Sequence, residues 1–469
     1  MSPIPIVLSC NVPTVDDFHW GYSLSLSESE PPLPPPRPLS IVSRRAFGVY
    51  PSDEADEVVK DLHFETHLVD APGLSHLTVR GKGASFMDMI AVDDNLVVLA
   101  SCFQPYQSPV YLVYDAVDQS ITMIPSHPWL LPQHHLQPGE KHDTVDATRV
   151  LIARPPAPAG DDRSYALVNM AETSIYTGYN YEPDEKQDVL YVWRSSSLSP
   201  QWDLIRAKFP SKFKGDDVAH RYVNVLAFTC GGHAFWANLP HGLMYCRVDA
   251  LLSPSTTGEL KFGFIQLPVD HPPCPIQSAV ELESEMYQTV GRCGDSSIKF
   301  VTIDGFVQLL NFRSCILKVW TLSPDKGMTG WTKRFLCLDS LADQDEFKKN
   351  GLPTDMVPMY PNLSAEEDDV VYFMLGKYTK CCQAHKRSKI RCKGYIPAAK
   401  NPLYHLRVDM RRGVLLASAP LPESTSPCLS IASTSVVPSS MIQRGSMGRK
   451  GKRHCGDGNR KRGKRAFSQ

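Results

Sequence analysis

The sequence has no C-x-x-C pair, although 13 cysteines are scattered along its 469 residues. Zinc knuckles and thioredoxin-type redox centres are therefore not expected. There is also no G-x-S-x-G elbow, Walker A loop or H-E-x-x-H, the local patterns of α/β-hydrolases, P-loop NTPases and zincins. Gly81-Lys82-Gly83 is not followed by the third glycine of a dinucleotide fingerprint. No apolar run approaches the ~20 residues that span a bilayer. The opening MSPIPIVLSCNV has no basic segment before its short apolar run, so it makes a poor signal peptide. The expectation is a protein of the nucleus or cytoplasm, not secreted, with reduced and mostly buried thiols.

What is abundant is turn chemistry. Thirty-nine prolines and 29 glycines interrupt a chain that is 42% hydrophobic. Proline breaks helices and both residues make turns, so many short strands are expected. Charge is unevenly placed. Residues 444–469 carry ten Lys/Arg and one acid, Asp457. The other residues carry 39 basic and 49 acidic side chains, so an acidic body bears a basic tail.

Taken in order, residues 1–45 read as a disordered, proline-rich segment, with PPLPPPRP at 31–38 as a polyproline stretch. A β pattern begins near residue 46. Strands are predicted at 77–80, 86–91, 96–100, 110–115, 121–124, 150–153, 164–170, 189–194, 222–229, 233–238, 243–249, 262–267, 370–375, 404–408 and 414–417. Turn residues such as Gly231-Gly232 and His241-Gly242 separate them. Residues 125–142 read as a loop, 277–286 as a short helix, and 340–350 as a helix capped by Ser340 and stopped by Gly351. After about residue 421 order is expected to end.

Residues 299–341 read as four strands: 298–303, 306–311, 315–322 and 331–338. That is the size of one β-propeller blade, about 40 residues. The unit recurs. Val192-Trp193, Ser199-Pro200 and Trp202 align with Val319-Trp320, Ser323-Pro324 and Trp331. The Val-Trp pairs lie 127 residues apart, which fits three units of about 42. Val113-Tyr114 precedes Val192-Trp193 by 79 residues, which fits two units of about 40.

Several ordered blocks also resemble a known family. They are Phe235-Trp236-Ala237-Asn238-Leu239 with Gly242-Leu243-Met244-Tyr245-Cys246, and Phe264-Ile265-Gln266-Leu267-Pro268. Further on come Ile298-Lys299-Phe300-Val301, Val319-Trp320-Thr321-Leu322 and Trp331. The last block is Gly351-Leu352-Pro353, Tyr360-Pro361, Leu363-Ser364 and Asp369-Val370-Val371-Tyr372-Phe373. Together, over about 235–375, they resemble the plant family built on domain of unknown function 1618. The resemblance implies a plant protein with a propeller-like or related all-β body, and no assigned reaction. Asn238 departs from the family's usual Asp, and the basic stretch after Tyr378 is an insertion.

Candidate chemistry is sparse. Cys381, Cys382, His385 and Cys392 supply four soft ligands, but adjacent cysteines and six surrounding cations argue for a flexible loop. Residues 377–400 hold eight basic residues and no acid, which makes them a solvated insertion or an anion-binding patch. His127, His134, His135 and His142 share one stretch, and Asp93-Asp94, Asp161-Asp162, Asp216-Asp217 and Glu366–Asp369 precede strands. Turn-forming explains these acids without catalysis. Trp193, Trp236, Trp320 and Trp331 read as core. The tail carries two basic clusters, Arg449, Lys450, Lys452 and Arg453, then Arg460, Lys461, Arg462, Lys464 and Arg465. This is the pattern of a bipartite nuclear signal read by an importin-type receptor, or of a solubilising or RNA-binding tail.

The expectation is an all-β, propeller-like domain at 46–420 between disordered ends at 1–45 and 421–469. Its expected role is a non-enzymatic scaffold for a protein partner, with no cofactor, metal or membrane contact and only weak suggestion of nucleic acid. Two alternatives stay open: the body of an F-box-type substrate adaptor, and a propeller hydrolase using loop His and Asp residues.

Overall fold

The structure is a computed structural model. It describes residues 5–11, 37–38, 43–46, 57–67, 74–80, 84–93, 96–103, 109–115, 118–125, 141–145, 150–155, 164–175, 185–196, 201–214, 225–253, 260–268, 286–294, 297–306, 311–324, 328, 330–364, 367–380, 395–397, 403–421 and 436–438.

Five antiparallel blades, each on a four-strand plan, are arranged as a β-propeller. Blade 1 comprises Ala84–Asp93, Leu96–Phe103, Pro109–Asp115 and Ser120–Pro125. Blade 2 comprises Leu151–Ala153, Ala166–Ile175, Glu185–Arg194 and Asp203–Arg206. Blade 3 comprises Val225–Cys230, His233–Asn238, Gly242–Arg247 and Gly263–Ile265. Blade 4 comprises Gln288–Cys293, Ser297–Asp304, Ile316–Leu322 and Thr332–Cys337. Blade 5 comprises Val357–Leu363, Val370–Gly376, Tyr404–Asp409 and Val414–Pro420. From blade 1 to blade 5, the first strands of successive blades pack against one another, and Pro5–Asn11 packs on the first strand of blade 1.

A further sheet gathers segments from far apart. Pro5–Asn11 runs parallel to Leu74–Arg80 and antiparallel to Val436–Pro438. These strands lie inside the two end segments, where the sequence reading placed none. Each is short and carries proline, so neither has the alternation that announces a strand.

The core sits in the seams between blades, because each sheet is apolar on both faces. Blades 1 and 2 share Val98, Tyr111, Val113, Leu167 and Trp193. Blades 2 and 3 share Val192, Phe213, Trp236 and Met244. Blades 3 and 4 share Phe235, Leu243, Phe300 and Trp320. Blades 4 and 5 share Val319, Phe312, Phe347 and Phe373. Burying one such side chain contributes roughly 1.5–3 kcal/mol.

Three expectations need correction. Blade 4 does not begin at residue 298. Its first strand is Gln288–Cys293, upstream of the stretch read as four strands. Of the expected strand at 306–311, the described part is a turn at Phe306 and a 3-10 turn opened by Asn311, whose side chain accepts from the Ser314 N–H. The sequence QTVGRC carries no run of β-branched and aromatic residues, because Gly291 and Arg292 interrupt it. Second, the expected helix at 340–350 is two helices, Leu338–Ala342 and Asp345–Lys349. Ser340 lies inside the first and donates to the Cys337 carbonyl rather than capping. Third, the strand expected at 243–249 ends at Arg247, and Val248–Leu252 is helical. The expected helix at 277–286 falls almost wholly outside the described residues.

The repeat is real but longer than read. Val113-Tyr114, Val192-Trp193 and Val319-Trp320 all lie on third strands, in blades 1, 2 and 4. The separation of 79 residues is therefore one blade, and that of 127 is two. Long connections such as 207–224 and 266–287 stretch the period.

Candidate functional site: the two ends of the propeller

Strand direction defines two ends. First and third strands run from the upper end to the lower end, and second and fourth strands return. At the lower end the axis is tied by ions. Asp93 closes the first strand of blade 1. Its Oδ1 lies 3.1 Å from Arg292 on the first strand of blade 4, and its Oδ2 lies 3.6 Å from Arg154, just after the first strand of blade 2. Arg154 also donates to the Asp93 carbonyl at 3.2 Å. One carboxylate thus joins three blades. Of the predicted acid pairs, Asp93 is an ion-pair hub. Asp94, Asp161, Asp162, Asp216, Asp217 and Glu366 lie outside the described residues.

Of the remaining acids of that last run, Asp369 ties blades by ion pairs. Asp369 lies 3.6 Å from both Lys299 and Arg334 of blade 4, while Glu367 pairs with Arg407 within blade 5. Arg194 of blade 2, 6% exposed, pairs with Asp203 and donates to the Leu251 and Ser253 carbonyls of blade 3. Its guanidinium caps the end of the short helix there, where a cation suits the carbonyl dipoles. Such partners lie far apart in sequence, and no local pattern announces them.

Titration behaviour fits packing. Burial pushes the Cys246 thiol up to about 12, Cys293 to about 11 and Cys315 to about 12. Such thiols stay protonated and are poor nucleophiles. The Cys293 thiol donates to the Asp368 carbonyl at 3.2 Å. His233 and His405 sit against aromatic rings, Tyr245 and Tyr372 respectively. Among the described residues, no group of three His, Cys, Asp or Glu side chains is placed to hold a metal ion. No described helix is long and apolar enough to cross a membrane.

The upper end is different. It carries the helices Leu338–Ala342 and Asp345–Lys349, which connect blades 4 and 5. It also carries an added ribbon. Tyr378–Lys380 pairs antiparallel with Tyr395–Pro397 between the second and third strands of blade 5. The basic insertion is thereby rooted at this end. Its apex, with Cys381, Cys382, His385 and Cys392, lies outside the described residues. So do His127, His134 and His135. His142, expected in a loop, is in the strand Lys141–Val145, which extends the upper half of blade 2 by pairing with Ala171–Ile175.

Trp193, Trp236 and Trp320 are buried, as expected of core residues. Trp331 is half-buried, and its indole donates to the Gln266 carbonyl of blade 3 at 3.1 Å. Asn238 is buried, and its amide donates to the Phe213 carbonyl at 3.3 Å. An ionised carboxylate has no hydrogen to donate in this way. All nine basic residues of the proposed nuclear signal, Arg449 to Arg465, lie outside the described residues.

Residues 236–372 match the family model described as Protein of unknown function (DUF1618). This agrees with the resemblance seen over 235–375. No curated protein matches the chain. Among solved structures, the chain is similar to the WD40 domain of SCAP from fission yeast. That match has 10% identity and a TM-score of 0.25, and covers 73% of this chain and 88% of that one. It is also similar to a structure from a study of two prolyl endopeptidases, with 8% identity and a TM-score of 0.26. There the match covers 76% of this chain and 46% of the other, so this chain spans under half of that protein's length. Neither likeness bears on function, and the propeller assignment rests on the sheet order.

Proposed function

We propose that this chain is a non-catalytic scaffold that binds another protein through the upper end of its propeller, with the basic ribbon as the main contact. One observation carries this reading. The ribbon Tyr378–Lys380 with Tyr395–Pro397 interrupts blade 5 at the upper end, and the stretch 377–400 that contains it holds eight cations and no acid. At the lower end Arg154, Arg194 and Arg292 are taken up in ties between blades. Rigid strands with variable connections suit recognition, and a cationic ribbon selects an acidic surface on the partner. The fully buried, protonated thiols support a structural role for that part of the core.

Replacing Lys386, Arg387, Lys389, Arg391 and Lys393 with serine tests this reading. Proximity labelling followed by pull-down should lose the protein neighbours of the unaltered chain. An unchanged neighbour set counts against the reading, and neighbours that vanish on ribonuclease treatment point to RNA instead.

We also propose that the tail clusters Arg449–Arg453 and Arg460–Arg465 engage an importin-type receptor and place the scaffold in the nucleus. Their support is spacing and charge alone.

A further inference from the structure

Among the described residues, two large apolar side chains are exposed, Leu204 at 51% and Phe335 at 67%. Both lie on fourth strands, the outermost of their blades. A sheet ends there with backbone groups turned outward, and proteins usually cover or shorten such an edge. Blade 1 adds Ser43–Ala46 as a parallel fifth strand on Ser120–Pro125. In blade 2 the Arg206 carbonyl accepts from the Leu260 N–H at 3.4 Å, and Ala207 bridges to Leu260. Blade 3 keeps its outer strand to three residues, Gly263–Ile265. In blade 5 the Gln344 side chain donates to the Gly413 carbonyl at 2.7 Å and accepts from the Leu415 N–H at 3.0 Å. Blade 4 differs. Among the described residues Thr332–Cys337 ends its sheet, is six residues long, and exposes every residue but Leu336.

We propose that the outer strand of blade 4 is a second docking surface, which takes an extended acidic segment of a partner protein as a fifth strand. The ladder fixes how that segment docks. The Leu338 N–H donates to the Cys315 carbonyl at 3.1 Å, one step beyond the Ile316–Cys337 pair. Bonded pairs alternate along an antiparallel ladder, so Leu336 and Arg334 bond inward and Phe335 presents its N–H and carbonyl outward. The Phe335 side chain shares a face with Lys333, whose ammonium lies 5.5 Å from the centre of the Trp320 ring. Lys318, across from Phe335, is matched by Asp304. Arg334, on the other face, is 58% exposed and shares Asp369 with Lys299. One carboxylate there serves two cations and cannot neutralise both.

Charge selects the occupant. An incoming antiparallel strand sets one residue opposite Phe335 and its next two opposite Arg334 and Lys333. An aromatic residue suits the first place, and acids suit the other two, where cations would repel. A second copy of this chain fits poorly, because its edge brings Lys333 and Arg334 against the same cations. The partner's signature is therefore an aromatic residue followed by two acids in an extended stretch. Strand addition supplies the backbone bonds, and these side chains supply the selectivity. The surface lies on a different blade from the basic ribbon.

Fluorescence anisotropy of a labelled heptapeptide, with Phe-Glu-Glu at its centre and Val and Thr at its flanks, tests the surface when titrated with the full chain. A peptide with Phe-Lys-Lys at its centre is the control. The acidic peptide should bind about tenfold tighter than the control, and Phe335→Thr, which keeps a strand-forming residue, should weaken it about fivefold. Lys333→Glu combined with Arg334→Glu should reverse the preference, and serves if Phe335→Thr fails to fold. The chain with its five ribbon cations replaced by serine should bind the acidic peptide as the unaltered chain does. Equal binding of the two peptides overturns the proposal. So does an affinity for Phe335→Thr within about twofold of the unaltered chain, or loss of binding in the ribbon variant alone. Self-association of the unaltered chain that Phe335→Thr abolishes assigns the edge to a second copy and also overturns it.

Discussion

Trp202 and Trp331 do the same work two blades apart. The Trp202 indole donates to the Pro125 carbonyl at 2.8 Å, and the Trp331 indole donates to the Gln266 carbonyl at 3.1 Å. Each acceptor lies at the end of the preceding blade's fourth strand, or one residue beyond it. Each tryptophan precedes its own fourth strand. The aligned aromatics in the sequence thus mark a repeated tie between neighbouring blades.

Trp202→Phe and Trp331→Phe keep most apolar contact and remove the indole donor. Each should cost about 1 kcal/mol. The two sites share no partner, so the double variant should cost close to the sum. Denaturant unfolding of the three variants measures this. A coupling well above about 0.5 kcal/mol would show that the ties are not independent.

Asn238→Asp restores the acid usual in the resembling family. Here it should destabilise by about 2 kcal/mol, because it removes the donor to the Phe213 carbonyl and buries a charge beside an acceptor. The midpoint of urea unfolding reads the effect, which should shrink below the carboxylate's pKa, where the acid regains a proton to donate.

The thiols predict a pH dependence. Cys246, Cys293 and Cys315 are raised by burial from 9.0 to about 12, 11 and 12. Below pH 9 they are protonated in folded and unfolded chain alike, and contribute no slope. Above it the unfolded chain ionises first, so stability should fall from about pH 9 towards 12. At pH 8, alkylation mapped by mass spectrometry should modify the exposed Cys337 and spare these three until the chain is denatured. Early modification of any of them would contradict the assignment.

For the tail, a fluorescent fusion lacking residues 448–469 should lose nuclear enrichment. An unchanged distribution would remove the import reading.

How much of this was legible depended on whether a feature is local. Seam strands such as Val370–Gly376 and Ile316–Leu322 announce themselves by β-branched and aromatic runs, and the Val-Trp phase marked third strands correctly. Gln288–Cys293 lacks that signal because Gly291 and Arg292 interrupt its short apolar run. The period was misread because connections, not strands, set the spacing, and the sequence cannot say how many residues a connection spends. The Asp93–Arg154–Arg292 tie was invisible for another reason: it forms only when three inner strands meet around the axis. The basic insertion was plain as composition, but its placement at the upper end follows only from strand direction.

The most direct measurement compares the two ends. Proximity labelling would be run on the unaltered chain, on the variant with five ribbon cations replaced by serine, and on Arg412→Glu. Arg412 is an exposed residue in the lower turn between the last two strands of blade 5. The account predicts that the ribbon variant loses the protein neighbours while Arg412→Glu retains them. Retention by the ribbon variant, with loss in Arg412→Glu, would contradict it.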